Sequence, residues 1–167
     1  ETFTATSTSL PTATNTPINT PTVDVFPSTG VLDNFNRANG TISTNWTGTT
    51  GNYSINSNQL QVGNDGDIYW NGATFGPDQE VGITLTSINT SASEIDLLLK
   101  VQDSSWTSDT IEVVYNPSTN MTQVWTYTSS QDWVQRGADL PVTFVAGDVF
   151  GARAKSASIG ERSLEDA

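Results

Sequence analysis

From Val31 onward no stretch of this chain sustains a helical period, whereas short runs of β-branched and aromatic residues recur between turn signals. That pattern constrains the fold more than any other feature, because each run is too short for a helix and is bounded by residues that reverse the chain. The reversals are Asn39-Gly40, Gly63-Asn64-Asp65-Gly66, Asn71-Gly72, Asn116-Pro117-Ser118-Thr119-Asn120 and Ala146-Gly147-Asp148. Strands are expected over 31–35, 53–55, 59–63, 67–70, 79–88, 93–102, 110–116, 121–127, 133–137, 140–144 and 149–154. In the 121–127 run Met121, Gln123, Trp125 and Tyr127 share one face, and Thr122, Val124 and Thr126 share the other. Many short strands without helices predict an all-β, antiparallel β-sandwich.

Composition changes near Gly30. Residues 1–30 are mostly Thr, Ser, Pro, Asn and Ala, with few apolar groups to bury, and are expected to be a disordered Thr/Pro-rich linker. Residues 31–155 form the expected β-sandwich module. Residues 156–167 are small, polar and patternless, do not read as a closing strand, and make the module an incomplete one on this reading. A Thr/Pro tract joined to a β-rich module free of His and Cys is the architecture of an accessory domain of a larger secreted protein, so an extracellular or cell-surface location is expected.

Eighteen acidic against six basic side chains give a net charge of −12. Such a surface repels phosphate, so nucleic acid is excluded as a partner and anionic membrane is disfavoured. No run reaches the roughly 18–20 apolar residues of a membrane span, so no membrane insertion is expected. The absence of Cys rules out disulfides and zinc–thiolate sites. The absence of His removes Ser-His-Asp and Cys-His nucleophile systems, leaving hard, oxygen-bound cations as the metals such a chain would suit.

The segment Val31-Leu32-Asp33-Asn34-Phe35-Asn36-Arg37-Ala38-Asn39-Gly40-Thr41 with Asn45-Trp46 resembles the opening of concanavalin A-like (laminin G-like) jelly-roll modules of bacterial secreted proteins. So do Gly66-Asp67-Ile68-Tyr69-Trp70-Asn71, Ser93-Glu94-Ile95-Asp96-Leu97-Leu98-Leu99-Lys100 and Trp133-Val134-Gln135-Arg136-Gly137. The resemblance covers about 31 to 155. It implies a jelly-roll sandwich, often calcium-binding, whose late strand ending in a Leu-Asp-Asp-Phe-like sequence pairs near the first strand. That late strand has no counterpart here, which would leave a sheet edge exposed.

Three groups of residues carry chemistry. Glu94-Ile95-Asp96 matches the start of the strand by which family 16 glycoside hydrolases, of similar fold type, present two glutamates as nucleophile and acid/base. The next positions here are Leu98 and Leu99, so the acid/base is missing in either register, and the expectation is a non-catalytic chain. On the blander reading Glu94 and Asp96 lie on a solvated or ligand-facing side while Ile95, Leu97 and Leu99 pack the core. The loop Asn64-Asp65-Gly66-Asp67 offers oxygen ligands around a glycine turn and would suit Ca²⁺, although such turns also occur without metal. Finally, Trp70, Trp125 and Tyr127 are candidate stacking surfaces for sugar rings, with burial in the core as the alternative. Trp46 and Trp106 read as core or loop plugs, and Trp133 as a turn residue open to either role. The functional expectation is an accessory module binding a polysaccharide or other glycan and tethered to other domains of its parent. The alternatives are a structural or adhesion spacer without small ligand, and a family 16-like glycoside hydrolase.

Overall fold

The computed structural model describes residues 25–156; residues 1–24 of the expected 1–30 linker and 157–167 of the expected 156–167 tail lie outside the described residues. Twelve strands follow in order: β1 Gly40–Thr41, β2 Trp46–Gly48, β3 Tyr53–Asn56, β4 Gln59–Val62, β5 Ile68–Trp70, β6 Gln79–Thr84, β7 Ile95–Leu99, β8 Ile111–Asn116, β9 Met121–Thr128, β10 Asp132–Gln135, β11 Leu140–Pro141 and β12 Val149–Ala154. All pairings are antiparallel, and the only helical turn among the described residues is Thr50–Asn52. The chain is all-β and sandwich-like, as the turn spacing predicts.

The largest sheet has the order β10-β9-β8-β7, with β11 pairing the other half of β9. Its inward face is set by strand alternation: Leu97 and Leu99 from β7, and Val113 and Tyr115 from β8, are buried. Across from them the β6–β12 pair contributes Phe150, Val81 and Ala152, and Leu85 follows β6; these close one apolar cluster with Phe144, Val142 and Val124. Tyr115 is only 1 % exposed. Its ring packs edge-on against Phe144 at 4.8 Å, and its hydroxyl donates to Asn120 Oδ1 at 3.1 Å. A tyrosine is tolerated at this depth because that polar tip is satisfied.

The outer face of β6–β12 carries two facing pairs, Gly82 opposite Gly151 and Glu80 opposite Arg153. The side chain of Phe26 lies over the glycine pair, so close that a Cβ on Gly151 would collide with the ring. The Arg153 guanidinium sits 5.0 Å from the Phe26 ring centroid and ion-pairs with Glu80 at 2.7 Å. Glu80 also accepts from the Ser28 and Thr29 amides and hydroxyls, and the Arg153 guanidinium donates to the Val25 carbonyl. Residues 25–30, on the tail side of the composition break, are thus strapped to the module.

No strand forms over 31–35, contrary to the sequence expectation. The Asp33 carboxylate accepts from the Phe35 amide at 2.8 Å and Asn34 Oδ1 from the Asn36 amide at 3.0 Å. Such local side-chain acceptors compete with a ladder and turn the chain, which passes through φ 53° at Phe35. The strands expected over 79–88 and 93–102 are shorter than predicted, ending at Thr84 and Leu99.

Candidate functional site

With Leu97, Val113 and Val124 turned to the core, the alternate residues of β7, β8 and β9 cover the outer face of the large sheet. Cross-strand register then fixes their neighbours. Leu98, Glu112, Trp125 and Gln135 form one row, and Asp96, Val114 and Gln123 form the next. Two adjoining shallow hollows of about 340 and 540 Å³ lie on this face. Glu94, Glu112, Val114, Gln123, Trp125 and Trp133 line the first, and Glu94, Val114 and Gln123 continue into the second beside Met121 and Asp139. Together they form an open groove.

One wall is aromatic. Trp133 on β10 faces Tyr127 on β9, with rings 5.3 Å apart and tilted. Trp106, from the loop before β8, stacks on Trp133 at 6.1 Å with planes 9° apart, and is 51 % exposed. Trp106 is therefore a surface plate and not a core plug. Trp125 is held by its indole N–H, which donates to Gln123 Oε1 at 3.1 Å. The Gln123 amide donates in turn to Asp139 Oδ1 at 2.9 Å, and the Gln135 amide donates to the same oxygen at 2.6 Å. These bonds fix the side chains flanking the indole.

The other wall is acidic. Burial, and then the charges of Glu112, Glu94 and Asp67, push the Asp96 carboxyl up to about 8. Burial, with Glu94 and Asp67, pushes Glu112 up to about 7. Asp96 Oδ1 is buried without a hydrogen-bond partner among the described residues. Near neutrality Asp96 therefore keeps its proton and Glu112 is divided between its two forms, and both ionise more readily when a positive charge arrives. Burial, followed by Asp67, Asp96 and Asp65, raises Tyr53 to about 12. Tyr69 is also raised, by burial and by Asp67, to which its hydroxyl donates at 3.2 Å.

Of the residues singled out from sequence, Trp125, Tyr127, Glu94 and Asp96 are brought to this one face. Trp70 stands apart from the groove lining: it pairs with Trp46 across β2–β5 and meets that ring edge-on at 5.2 Å, and Trp46 stacks on Phe35 at 5.9 Å. Its chain neighbour Tyr69 takes the opposite side, within charge range of Glu112. In the Asn64-Asp65-Gly66-Asp67 loop the carbonyls turn inward. The Asp65 carbonyl accepts from Asn52 Nδ2, that of Gly66 from the Tyr53 hydroxyl, and that of Asp67 from the Thr49 amide. Among the described residues no group of three or more acidic side chains is spaced to hold a metal ion. Asp33 is fully engaged as well, accepting from both Arg37 terminal nitrogens, the Trp46 indole and the Phe35 amide.

Glu112, Gln123 and Asp139 complete the site without having been singled out from sequence, together with Trp133, whose role the sequence leaves open. Glu112 had a readable signal: it is the one charged residue in Ile111-Glu112-Val113-Val114-Tyr115, at a position whose neighbours pack the core. Compared with known protein families, curated proteins and solved structures, the chain matches none of them.

Proposed function

We propose that this chain is a non-catalytic glycan-binding module, an accessory domain of a secreted protein, with its Thr/Pro-rich segment as the tether to other domains. One observation carries the reading: an open groove on a rigid antiparallel face presents two indoles, Trp125 and Trp133, beside hydrogen-bonding side chains held in fixed orientations. Flat aromatic faces stack on the apolar face of a sugar ring, and carboxylates and amides take its hydroxyls. An open groove suits a polymer, whose chain must run through. The resemblance of the strand sequences to concanavalin A-like jelly-roll modules supports the same reading.

The test is affinity electrophoresis of the folded chain against soluble β-glucans, xylans and galactans, alongside Trp125→Ala and Trp133→Ala. Retardation by at least one polysaccharide is expected, reduced roughly tenfold or more by either substitution, about 1.4 kcal/mol or more each. A folded chain retarded by none of them is a spacer and not a binder.

A second reading, a glycoside hydrolase, draws on Glu112 and Asp96 as diagonal neighbours on one face of the β7–β8 ladder, since two carboxyls with raised affinity for protons are the ingredients of acid/base work on a glycosidic bond. Reducing-sugar release that disappears in Glu112→Gln would establish it in place of the binding reading.

A further inference from the structure

The residues lining the groove include Glu94, Glu112 and Asp139 and no lysine or arginine. Several of its donors are turned toward the protein itself. The Trp125 indole N–H serves Gln123, and the amides of Gln123 and Gln135 both serve Asp139. The charge the lining offers is all of one sign, from Glu94, Glu112 and Asp139, and on the same face lies Asp96, whose buried Oδ1 has no hydrogen-bond partner among the described residues. These carboxyls also repel one another: Asp96 lies on β7 and Glu112 on the adjoining β8, Glu94 comes just before β7, and the charges of Glu112 and Glu94 raise the proton affinity of Asp96.

We infer that the groove selects glycans that carry free, protonated amino groups. The inference rests on the glycan-binding reading and names its ligand class. An ammonium group supplies three donors and one positive charge, matching a lining that carries carboxyl groups and no lysine or arginine. Set beside Glu94 and Glu112 it relieves their mutual repulsion, and over Trp125 or Trp133 it gains attraction from the indole face. Anionic glycans are rejected by the same wall. Neutral glycans keep the stacking and lose the charge term.

The experiment compares three β-1,4-linked tetrasaccharides of one backbone, glucosamine tetramer, its N-acetylated counterpart and cellotetraose, by titration calorimetry at pH 6.5. The free-amine form is expected to bind at least tenfold more tightly than either of the others, and to weaken as salt rises. Glu94→Gln/Glu112→Gln should erase that preference. Asp109→Asn/Asp148→Asn, which removes equal charge outside the groove lining, should leave it intact. Equal binding of cellotetraose or of the acetylated tetramer by the native chain overturns the inference while leaving the glycan-binding reading standing. So does an equal loss in the two double variants, which would reduce the preference to the field of a −12 chain. Binding of none of the three, with no retardation by any polysaccharide, overturns both. The selectivity of the native chain decides the matter even if a variant fails to fold.

Discussion

Glu112 stands directly opposite Leu98 across the β7–β8 ladder. Glu94 just before β7 and then Asp96 and Leu98 on it occupy the alternate positions, so the third carboxylate of that face comes from the neighbouring strand and not from the same one. Three acidic side chains thereby share a surface that no single run of sequence displays. The arrangement has energetic consequences, because each carboxyl sits in the field of the others.

Asp96→Asn should stabilise the chain above neutrality. The carboxyl is raised to about 8 in the folded chain, against about 4 in an unfolded one. The folded state therefore binds the proton more tightly, and the stability this contributes is complete below about pH 4 and is lost as pH rises toward 8. Glu94, Glu112 and Asp67 are the charges facing it, and Tyr53 is the further titrating neighbour. Thermal melts of the native chain should fall across that window. The asparagine variant should flatten the profile and gain about 1–3 kcal/mol at pH 8. An unchanged slope would show that Asp96 is not the group responsible.

Gly151→Ala should be costly only while Phe26 is present. A Cβ at 151 collides with the Phe26 ring, and one at the facing Gly82 comes within 3.1 Å of it. Overpacking of this kind costs about 1–3 kcal/mol. Phe26→Ala removes the ring, so a double-mutant cycle should return a coupling of about 1 kcal/mol or more. Additive losses would mean that the strap is not seated on the glycine pair in solution.

Asp33→Asn should destabilise at neutral pH and become harmless in acid. The Arg37 guanidinium, above all, holds the Asp33 carboxyl at about 2, with the Phe35 amide and Trp46 indole also donating to it and burial opposing them. A depressed carboxyl contributes stability that is present above about pH 4 and is lost as pH falls through about 2. Replacing it should cost about 1–3 kcal/mol at pH 7, the worth of hydrogen bonds to a charged group. The gap between the two melting curves should narrow below pH 3. A gap that persists there would assign the loss to packing around Trp46 and Trp70.

Much of the fold was legible because alternation and turn chemistry are local. The run of Met121 to Tyr127 and the Asn116–Asn120 reversal both specify a hairpin strand without reference to the rest of the chain. The stretch over 31–35 misled because Asp33 and Asn34 can satisfy their own backbone, a choice decided by where Arg37 and Trp46 lie. At the site, Trp125, Tyr127, Glu94 and Asp96 could be proposed from residue type and alternation. Trp70 and Tyr69 could not be told apart that way, since adjacent aromatics on a strand always take opposite faces and only tertiary placement says which face matters. Glu112 and Asp139 belong to the groove through pairings between strands, a relationship written in register and not in any one segment.

The strap of residues 25–30 bears on how such a module would carry load. Any pull on the chain ahead of Val25 arrives first at the Arg153–Val25 carbonyl bond, the Ser28 and Thr29 bonds to Glu80, and the ring of Phe26 over its glycine pair. These must peel before tension reaches the β6–β12 ladder beneath. A clasp of this kind would let the chain ahead of it lengthen by a few residues while the β6–β12 ladder stays paired.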